Sequence, residues 1–515
     1  MSFISQGSLK KPFLVLLTIG LVVRFILMPL LTFNADIAYW IHAISLEQNN
    51  LGLYDVDGYY YTPIWGYLMN LSAFIGQFIG ITDYGIIVPE LAEFVNTEFI
   101  LNEIVTTFGF NVLMKVALVL CDLTVALLIY GLVMRLCNDE KKSLVASALW
   151  FLSPLVITQS SVHAMFDCLS AMTILLSVIF LMDRKYFLTG VMFSLAVLTK
   201  FFPLFFFFIL IAALFKKEGF GKEGIDSFRN AFLGAFLTLI LVELPYIVNG
   251  EFFRSMDFLI GRLGIDYAIL APFSPYVDYA FLIGVFILVM VLISLMRKYS
   301  GGLYEKCCSM DREIRDKKVI KKLLKVAVIL SLMLIVYSVF NYPKNAIDLM
   351  EILTFIGMKL VSFIMVYALL IEFFIAYKYL FSEDHADKAL FLNLMLTSLV
   401  IFLWPPSPPY IIVSLPFIIV YSAVYENKLI GPCILMMCLM TLMDLPSYLT
   451  SLQSIAYYVP GVSFDIILAP LNFLTRTIFG IEYIVFVVAI LGIPAYLSIL
   501  NIIRVWYMST READV

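Results

Sequence analysis

Apolar runs of membrane-crossing length recur along almost the whole sequence, and they constrain the fold more than any motif does. A span needs roughly 15 to 25 apolar residues, and such runs begin at Pro12 and are still present at Met508. With 62% hydrophobic and 14% charged residues and a mean hydropathy of +0.98 over 515 residues, the solvent of this chain is mostly lipid. The expected fold class is an all-α polytopic integral membrane protein of about 14 transmembrane helices with a long extracytoplasmic first loop. The spans expected in the first half are Pro12 to Leu31, Asn111 to Leu136, Lys142 to Ser161, Asp167 to Met182, and the broken hairpin Tyr186 to Lys200 and Phe201 to Phe215. Then come Phe228 to Val248, Tyr276 to Leu295, Lys322 to Phe340, Met350 to Phe381, Leu390 to Trp404, Tyr410 to Tyr425, Leu429 to Asp444 and Tyr483 to Met508. Residues 1 to 31 have the length of a signal peptide, but no small-residue cleavage site precedes Asp36, so this stretch reads as the first span.

Charge placement gives the expected sidedness. No Lys or Arg occurs between Arg24 and Lys115, whereas nine acids do, among them Asp36, Asp55, Asp57 and Asp83, and a segment so poor in cations belongs outside the cytoplasm. Residues 297 to 325 carry ten cations against four acids and belong inside. An even span count then puts both termini in the cytoplasm. The chain reads as one integral-membrane unit, with an N-terminal module over 1–250 that carries the outer loop and a C-terminal module over 251–515. Nucleic-acid binding has no support. The seven cysteines fall in spans or inner loops, which excludes a disulfide framework.

Several literal motifs carry no chemistry. Gly219-Phe-Gly221-Lys-Glu-Gly224 lies between two spans with no strand before it, so it is a turn rather than a dinucleotide site. Asp55-Val-Asp57-Gly58 reads as a turn in preference to a divalent-metal pair, and neither a metal nor a cofactor is expected. The informative residues are charges inside or at the edge of spans, where a charge is costly and has a partner or a job. Arg24 lies about two turns before the end of the first span. Lys115 and Asp122, seven residues apart on one helix face, are expected to neutralise each other or Arg24. His163 and Asp167, in Ser-Val-His-Ala-Met-Phe-Asp, fit a surface turn and a ligand role equally well. Lys200, in Leu-Thr-Lys-Phe-Phe-Pro203, is a cation at an outer helix break, with an ordinary snorkelling lysine as the alternative.

Taken together, Arg24, Asp36, Tyr54, Tyr60-Tyr61-Thr62-Pro63, Lys115 to Asp122 and Ala196-Val-Leu-Thr-Lys200-Phe-Phe-Pro203 resemble the polyprenyl-phosphate-sugar-dependent glycosyltransferases of the GT-C fold. The nearest group is the α-mannosyltransferases that act on glycolipids of the phosphatidylinositol and GPI type. Trp404-Pro-Pro-Ser-Pro-Pro-Tyr410 resembles their external turn before a late span. The likeness covers roughly residues 12 to 250.

The resemblance implies transfer of a sugar, mannose by analogy, from a polyprenyl-phosphate donor to a hydroxyl of a glycolipid or glycan acceptor, with Asp36 as general base. Lys200, Arg262 and Arg24 would bind the donor phosphate, with Tyr59, Tyr60 and Tyr410 beside it. Trp40, His163 and Asp167 would face the acceptor or its sugar. An interfacial aromatic belt explains Trp40, Tyr59 and Tyr60 almost as well. The implied partners are membrane lipids, the lipid-phosphate donor and the acceptor. The implied location is the plasma membrane, or the endoplasmic reticulum in a eukaryote, with the site outside the cytoplasm. A transporter or lipid flippase for a polar substrate is the alternative.

Overall fold

The computed structural model describes residues 11–48, 52–55, 59, 61–88, 104–256, 276–298, 368–382, 386–402, 408–443 and 451–463, with short pieces from 477 onward. In chain order the helices are α1 (Lys11–Leu30), α2 (Asn34–Gln48), α3 (Pro63–Phe78), α4 (Phe108–Cys137), α5 (Glu140–Phe151), α6 (Pro154–Ser161), α7 (Asp167–Met182) and α8 (Tyr186–Thr199). They continue with α9 (Phe207–Glu218), α10 (Lys222–Asn249), α11 (Phe252–Ser255), α12 (Tyr276–Lys298), α13 (Asp387–Phe402), α14 (Pro408–Val424), α15 (Ile430–Met443) and α16 (Gln453–Tyr458). The strands are β1 (Gly85–Ile87), antiparallel to β2 (Ile104–Thr106) with Gly85 opposite Thr106, and the two-residue pair β3 (Thr477–Ile478) and β4 (Ile481–Glu482).

Among the described residues four helices are long and apolar enough to cross a membrane, namely α1, α4, α10 and α12, and the pair α5 and α6, bent by 45°, makes a fifth. Shorter apolar helices, α7, α8, α14 and α15, accompany them. The chain is thus a mostly helical protein with the apolar helices of a polytopic membrane protein. The figure of 14 spans is not reached by this set: the expected span at 322–340 and most of those at 350–381 and 483–508 lie outside the described residues.

Local chemistry explains the helix ends. Thr107 caps α4 by accepting from the Phe110 amide at 3.2 Å, and Asn138, at φ 50°, closes it in the left-handed conformation. Asp139 then caps α5. Pro154 at the first position of α6 starts a new axis, so the single expected span from Lys142 to Ser161 is a broken one. The segment between α1 and α4, expected as an outer loop, is not a plain loop in its described part: α2, a short turn of helix at Leu53–Asp55, α3 and the β1–β2 hairpin occupy it.

The fold divides into two compact units. The first comprises 1–183, 192–203 and 405–515. Its centre is α4, packed against α1, α5, α6 and α7, with α14 lying against α4, α5 and α7. Ile412, Leu415, Phe417, Ile418 and Val420 of α14 are all 0–1% exposed, because a helix apolar on every side is stable only when surrounded. The second unit comprises 184–191 and 204–404. There Gly190 of α8 and Gly234 of α10 let two backbones meet: a Cβ on Gly190 would lie 1.8 Å from the Ala231 carbonyl oxygen, and one on Gly234 would lie 2.1 Å from that of Phe187. Two buried carboxyls join neighbouring helices in this unit, Glu243 accepting from Ser255 Oγ at 2.5 Å and Glu372 from Thr397 Oγ1 at 2.6 Å.

Candidate functional site

In the first unit the chain between α6 and α7 turns sharply through Ala164, at φ 57°, and is held by the His163 and Met165 amides donating to Thr158 and Gln159 carbonyls. The Phe33 amide donates to the Val162 carbonyl, which ties this turn to the link between α1 and α2. Phe166 and Asp167 follow directly, with Asp167 in the first turn of α7, where a carboxylate also gains from the helix dipole. Lys200 stands just beyond the last residue of α8, and the 3-10 turn Phe202–Phe206 after it confirms the helix break expected at Pro203. Lys200 Nζ lies 3.4 Å from Asp167 Oδ2, and both residues are almost wholly buried, at 2% and 0% exposure. A surface turn at Asp167 and a snorkelling lysine at 200 are both excluded.

Aromatic rings enclose this pair. Lys200 Nζ sits 4.2 Å from the Phe166 ring centroid and 4.6 Å from that of Tyr61, a geometry in which a desolvated ammonium gains about 2 kcal/mol or more. Trp65 stacks on Phe166 with centroids 4.8 Å apart, and Trp40 meets Trp65, Tyr61 and Phe166 at 5.8 to 6.3 Å. The walls come from α2, from the start of α3, and from the α6–α7 turn. Three donors are buried here without a hydrogen-bond partner: Trp40 Nε1, Trp65 Nε1 and Thr62 Oγ1. Leaving such groups unpaired costs about 1–3 kcal/mol each, so the cluster is poised for acceptors from a ligand. The rings pack on one another, so what the cluster leaves unmet is its hydroxyl and indole donors.

The other expected site residues are distributed around it. Asp36 is half-buried in the first turn of α2. Tyr59 is buried, donating to the Thr62 carbonyl at 3.2 Å, and its ring packs on Tyr54 and Tyr61. Burial of Trp40 and Tyr59 within the protein removes the aromatic-belt alternative for both. Tyr410 packs on Phe202, ring centroids 4.4 Å apart. His163 is 2% exposed, and its ring lies against Phe33 at 5.1 Å. Tyr60 and Arg262 lie outside the described residues.

Arg24 is committed elsewhere. Its Nε donates to Asp122 Oδ2 at 3.1 Å and its Nη1 to the carbonyls of Phe151 at 2.8 Å and Gly20 at 3.2 Å, with the guanidinium over the Phe151 ring. Its placement at the donor phosphate is therefore corrected: Arg24 and Asp122 are 0% exposed and bind each other. Lys115 takes no part in that pair. Its Nζ donates to the Met28 and Leu31 carbonyls and to Thr32 Oγ1, capping the end of α1.

Sequence reasoning missed Trp65, Phe166 and Thr62. Phe166 adjoins Asp167 and Thr62 adjoins Pro63 in motifs singled out for other residues, but an apolar or neutral side chain inside an apolar chain gives no charge signal. Among the described residues no three His, Cys, Asp or Glu side chains converge as metal ligands.

Residues 41–277 match the family described as PIG-U: GPI transamidase subunit PIG-U. The match spans Tyr61, Thr62, Trp65, Phe166, Asp167 and Lys200, and begins one residue after Trp40. No curated protein matches the chain. The family match overturns three expectations. The chain is matched to a subunit of a GPI transamidase, not to an enzyme that transfers a sugar, so the mannosyltransferase activity with Asp36 as its base is withdrawn. The transporter or flippase alternative has no support either. The partners are corrected as well: a polyprenyl-phosphate donor and its acceptor do not describe a chain matched to a subunit, for which protein partners are expected. The physical reason for the misreading is that the buried charges and the helix break build a buried polar cluster and its supports, features that do not by themselves specify a reaction.

Proposed function

We propose that this chain is a multi-pass subunit of a GPI transamidase in the endoplasmic reticulum membrane, and that the site around Lys200 and Asp167 holds the glycan of the GPI while other subunits perform the bond chemistry. The observation that carries the reading is the coincidence of the match over 41–277 with the cluster of unpaired donors and stacked rings. Sugar C–H faces would stack on Trp65 and Trp40, and glycan hydroxyls would accept from the two indole N–H groups and Thr62. Lys200 adds a cation for a phosphate substituent, and its charge is held in place by Asp167. The faces of Tyr61 and Phe166 spread that charge without competing for its hydrogens.

Two measurements on tagged chain from native membranes test the proposal. The chain is expected to co-purify in fixed ratio with the protein carrying the transamidase nucleophile, and its depletion is expected to leave precursor proteins without their GPI. Purification as a lone polypeptide, with GPI attachment intact after depletion, would overturn the subunit reading. Within an assembled complex, Thr62→Val with Trp40→Phe is expected to leave the subunits together and to weaken GPI use. Unaltered use of GPI would remove the site from the glycan.

A further inference from the structure

Helix α3 has two apolar faces with different fates. Its sixteen residues, PIWGYLMNLSAFIGQF, include no charge. One face, with Trp65, Gly66, Met69, Ala73 and Gly76, is buried and supplies a wall of the site described above. The other turns outward: Tyr67 is 38% exposed, Leu71 54%, Phe74 68%, Ile75 45% and Phe78 86%, with Ile79 at 59% just beyond. The spacing of these positions, near i, i+4, i+7, i+8 and i+11, makes one continuous stripe. No other large hydrophobic side chain among the described residues is as exposed as Phe78.

The helix has a fixed place relative to the span that follows. Gly76 abuts Leu113, so that a Cβ would lie 2.5 Å from its Cδ2, and Gly109 faces Ile81 in the same way at 3.4 Å. Gly80, at φ 83°, reverses the chain, and the Ile81 amide returns to the Gly76 carbonyl at 2.8 Å. The end of α3 is therefore level with the first turns of α4. At 1.5 Å per residue α4 is about 45 Å long, against roughly 30 Å of hydrocarbon, so its first turns stand at headgroup depth. The same arithmetic gives α3 about 24 Å, too short to span. The apolar helices of spanning length carry exposed apolar side chains of the same kind, Leu120 of α4 and Phe25 and Ile26 of α1 being 55–56% exposed.

We propose that the outward stripe of α3, from Tyr67 to Phe78, rests in the bilayer at the boundary of headgroups and acyl chains, on the side where α4 begins. The occupant is phospholipid rather than a protein partner. An uncharged apolar stripe on a helix beside a membrane-crossing one fits acyl chains, and Asn70 and Gln77 along one of its edges fit the headgroup boundary. The consequence is mechanical: the helix that carries Trp65 is anchored to the membrane, so the site's wall is set at a fixed depth.

The test uses the full chain in its native membranes, with p-benzoylphenylalanine placed singly at Phe74, at Phe78, at Ile287 on the exposed face of α12 and at Gly52. After irradiation, mass spectrometry of the purified chain is expected to find phospholipid adducts at 74, 78 and 287, and their loss at 52. Peptide adducts from another protein at 74 and 78 would overturn the proposal. So would an absence of lipid adducts there while 287 gives them.

Discussion

Two buried ion pairs in the same unit have opposite surroundings. Around Arg24 and Asp122 the neighbours are polar and engaged: the Phe151 and Gly20 carbonyls accept from the guanidinium, Ser160 Oγ donates to Asp122 Oδ2 at 2.6 Å, and Trp150 Nε1 donates to the Asp122 carbonyl at 3.1 Å. Around Lys200 and Asp167 the neighbours are rings, and the nearby donors of Trp40, Trp65 and Thr62 point at no acceptor. The first pair is tied by hydrogen bonds to α1, α4, α5 and α6, although Arg24 Nη2 and Asp122 Oδ1 themselves make none. The second stands among rings and beside three neutral donors without acceptors, which is the ground for proposing that it receives a ligand.

The sharpest way to break this contrast is to remove one member of the first pair. Asp122→Ala leaves the Arg24 guanidinium buried without its counter-charge, a change that costs about 3–5 kcal/mol. The variant is expected to yield little folded chain and to melt far below the parent in a detergent-solubilised thermal shift assay. An unchanged melting curve would show that the network does not hold the helices together.

Lys200→Met should cost stability on the same scale, about 3–5 kcal/mol, because Asp167 is stranded, but here the loss should be separable from function. Adding Asp167→Asn removes the stranded charge, so the double variant is expected to recover much of the melting temperature while GPI attachment by the assembled complex stays low. Recovery of both together would reduce this pair to a second structural clamp and erase the difference between the two regions.

A finer cut is Trp65→Phe. The ring contacts with Phe166 and Trp40 survive, but the indole N–H is lost. No hydrogen bond is lost, so the melting temperature should fall only by the packing that the smaller ring gives up, less than the about 3–5 kcal/mol of a Trp→Ala change. If the N–H is used by glycan, one hydrogen bond of about 1–1.5 kcal/mol disappears and GPI binds about tenfold more weakly. A titration of the assembled complex with GPI reads this directly. A drop in stability with unchanged affinity would mean that the indole serves packing alone.

These differences explain what could and could not be read in the sequence. The span now seen as α4 was legible to within three residues, because the thirty residues between Thr107 and Asn138 are apolar apart from Asn111, Lys115, Asp122, Thr124 and Arg135. Lys200 and Asp167 were legible as costly charges near an outer turn and a proline. Their meeting was not, since it depends on how the end of α8 packs beside the start of α7. Lys115 and Asp122 share a helix face, yet each found its partner on α1 instead, where Arg24 and the open carbonyls at the helix end lie. Helix α3 was missed because it is too short for a span and sits in a stretch read for its acids, its tyrosines and its missing cations. The function was misread for a related reason: the order of Asp36, the tyrosines and Lys200 along the chain is silent on what is done there.

The smallest expected effect is at Asp36, and it separates the corrected function from the discarded one. The side chain lies in the first turn of α2, where a carboxylate interacts with the helix dipole for about 0.3–1 kcal/mol. Asp36→Asn keeps the size of the group and most of its capping geometry, so melting should shift only slightly. A general base, by contrast, contributes about 10²–10⁴-fold to a rate, and its loss through an amide could not be hidden. For a subunit that holds a glycan through Trp40, Trp65 and Lys200, GPI attachment by the Asp36→Asn complex should stay within about twofold of the parent, in line with the small dipole energy. A hundredfold loss at unchanged stability would instead place proton transfer at Asp36, and chemistry within this chain.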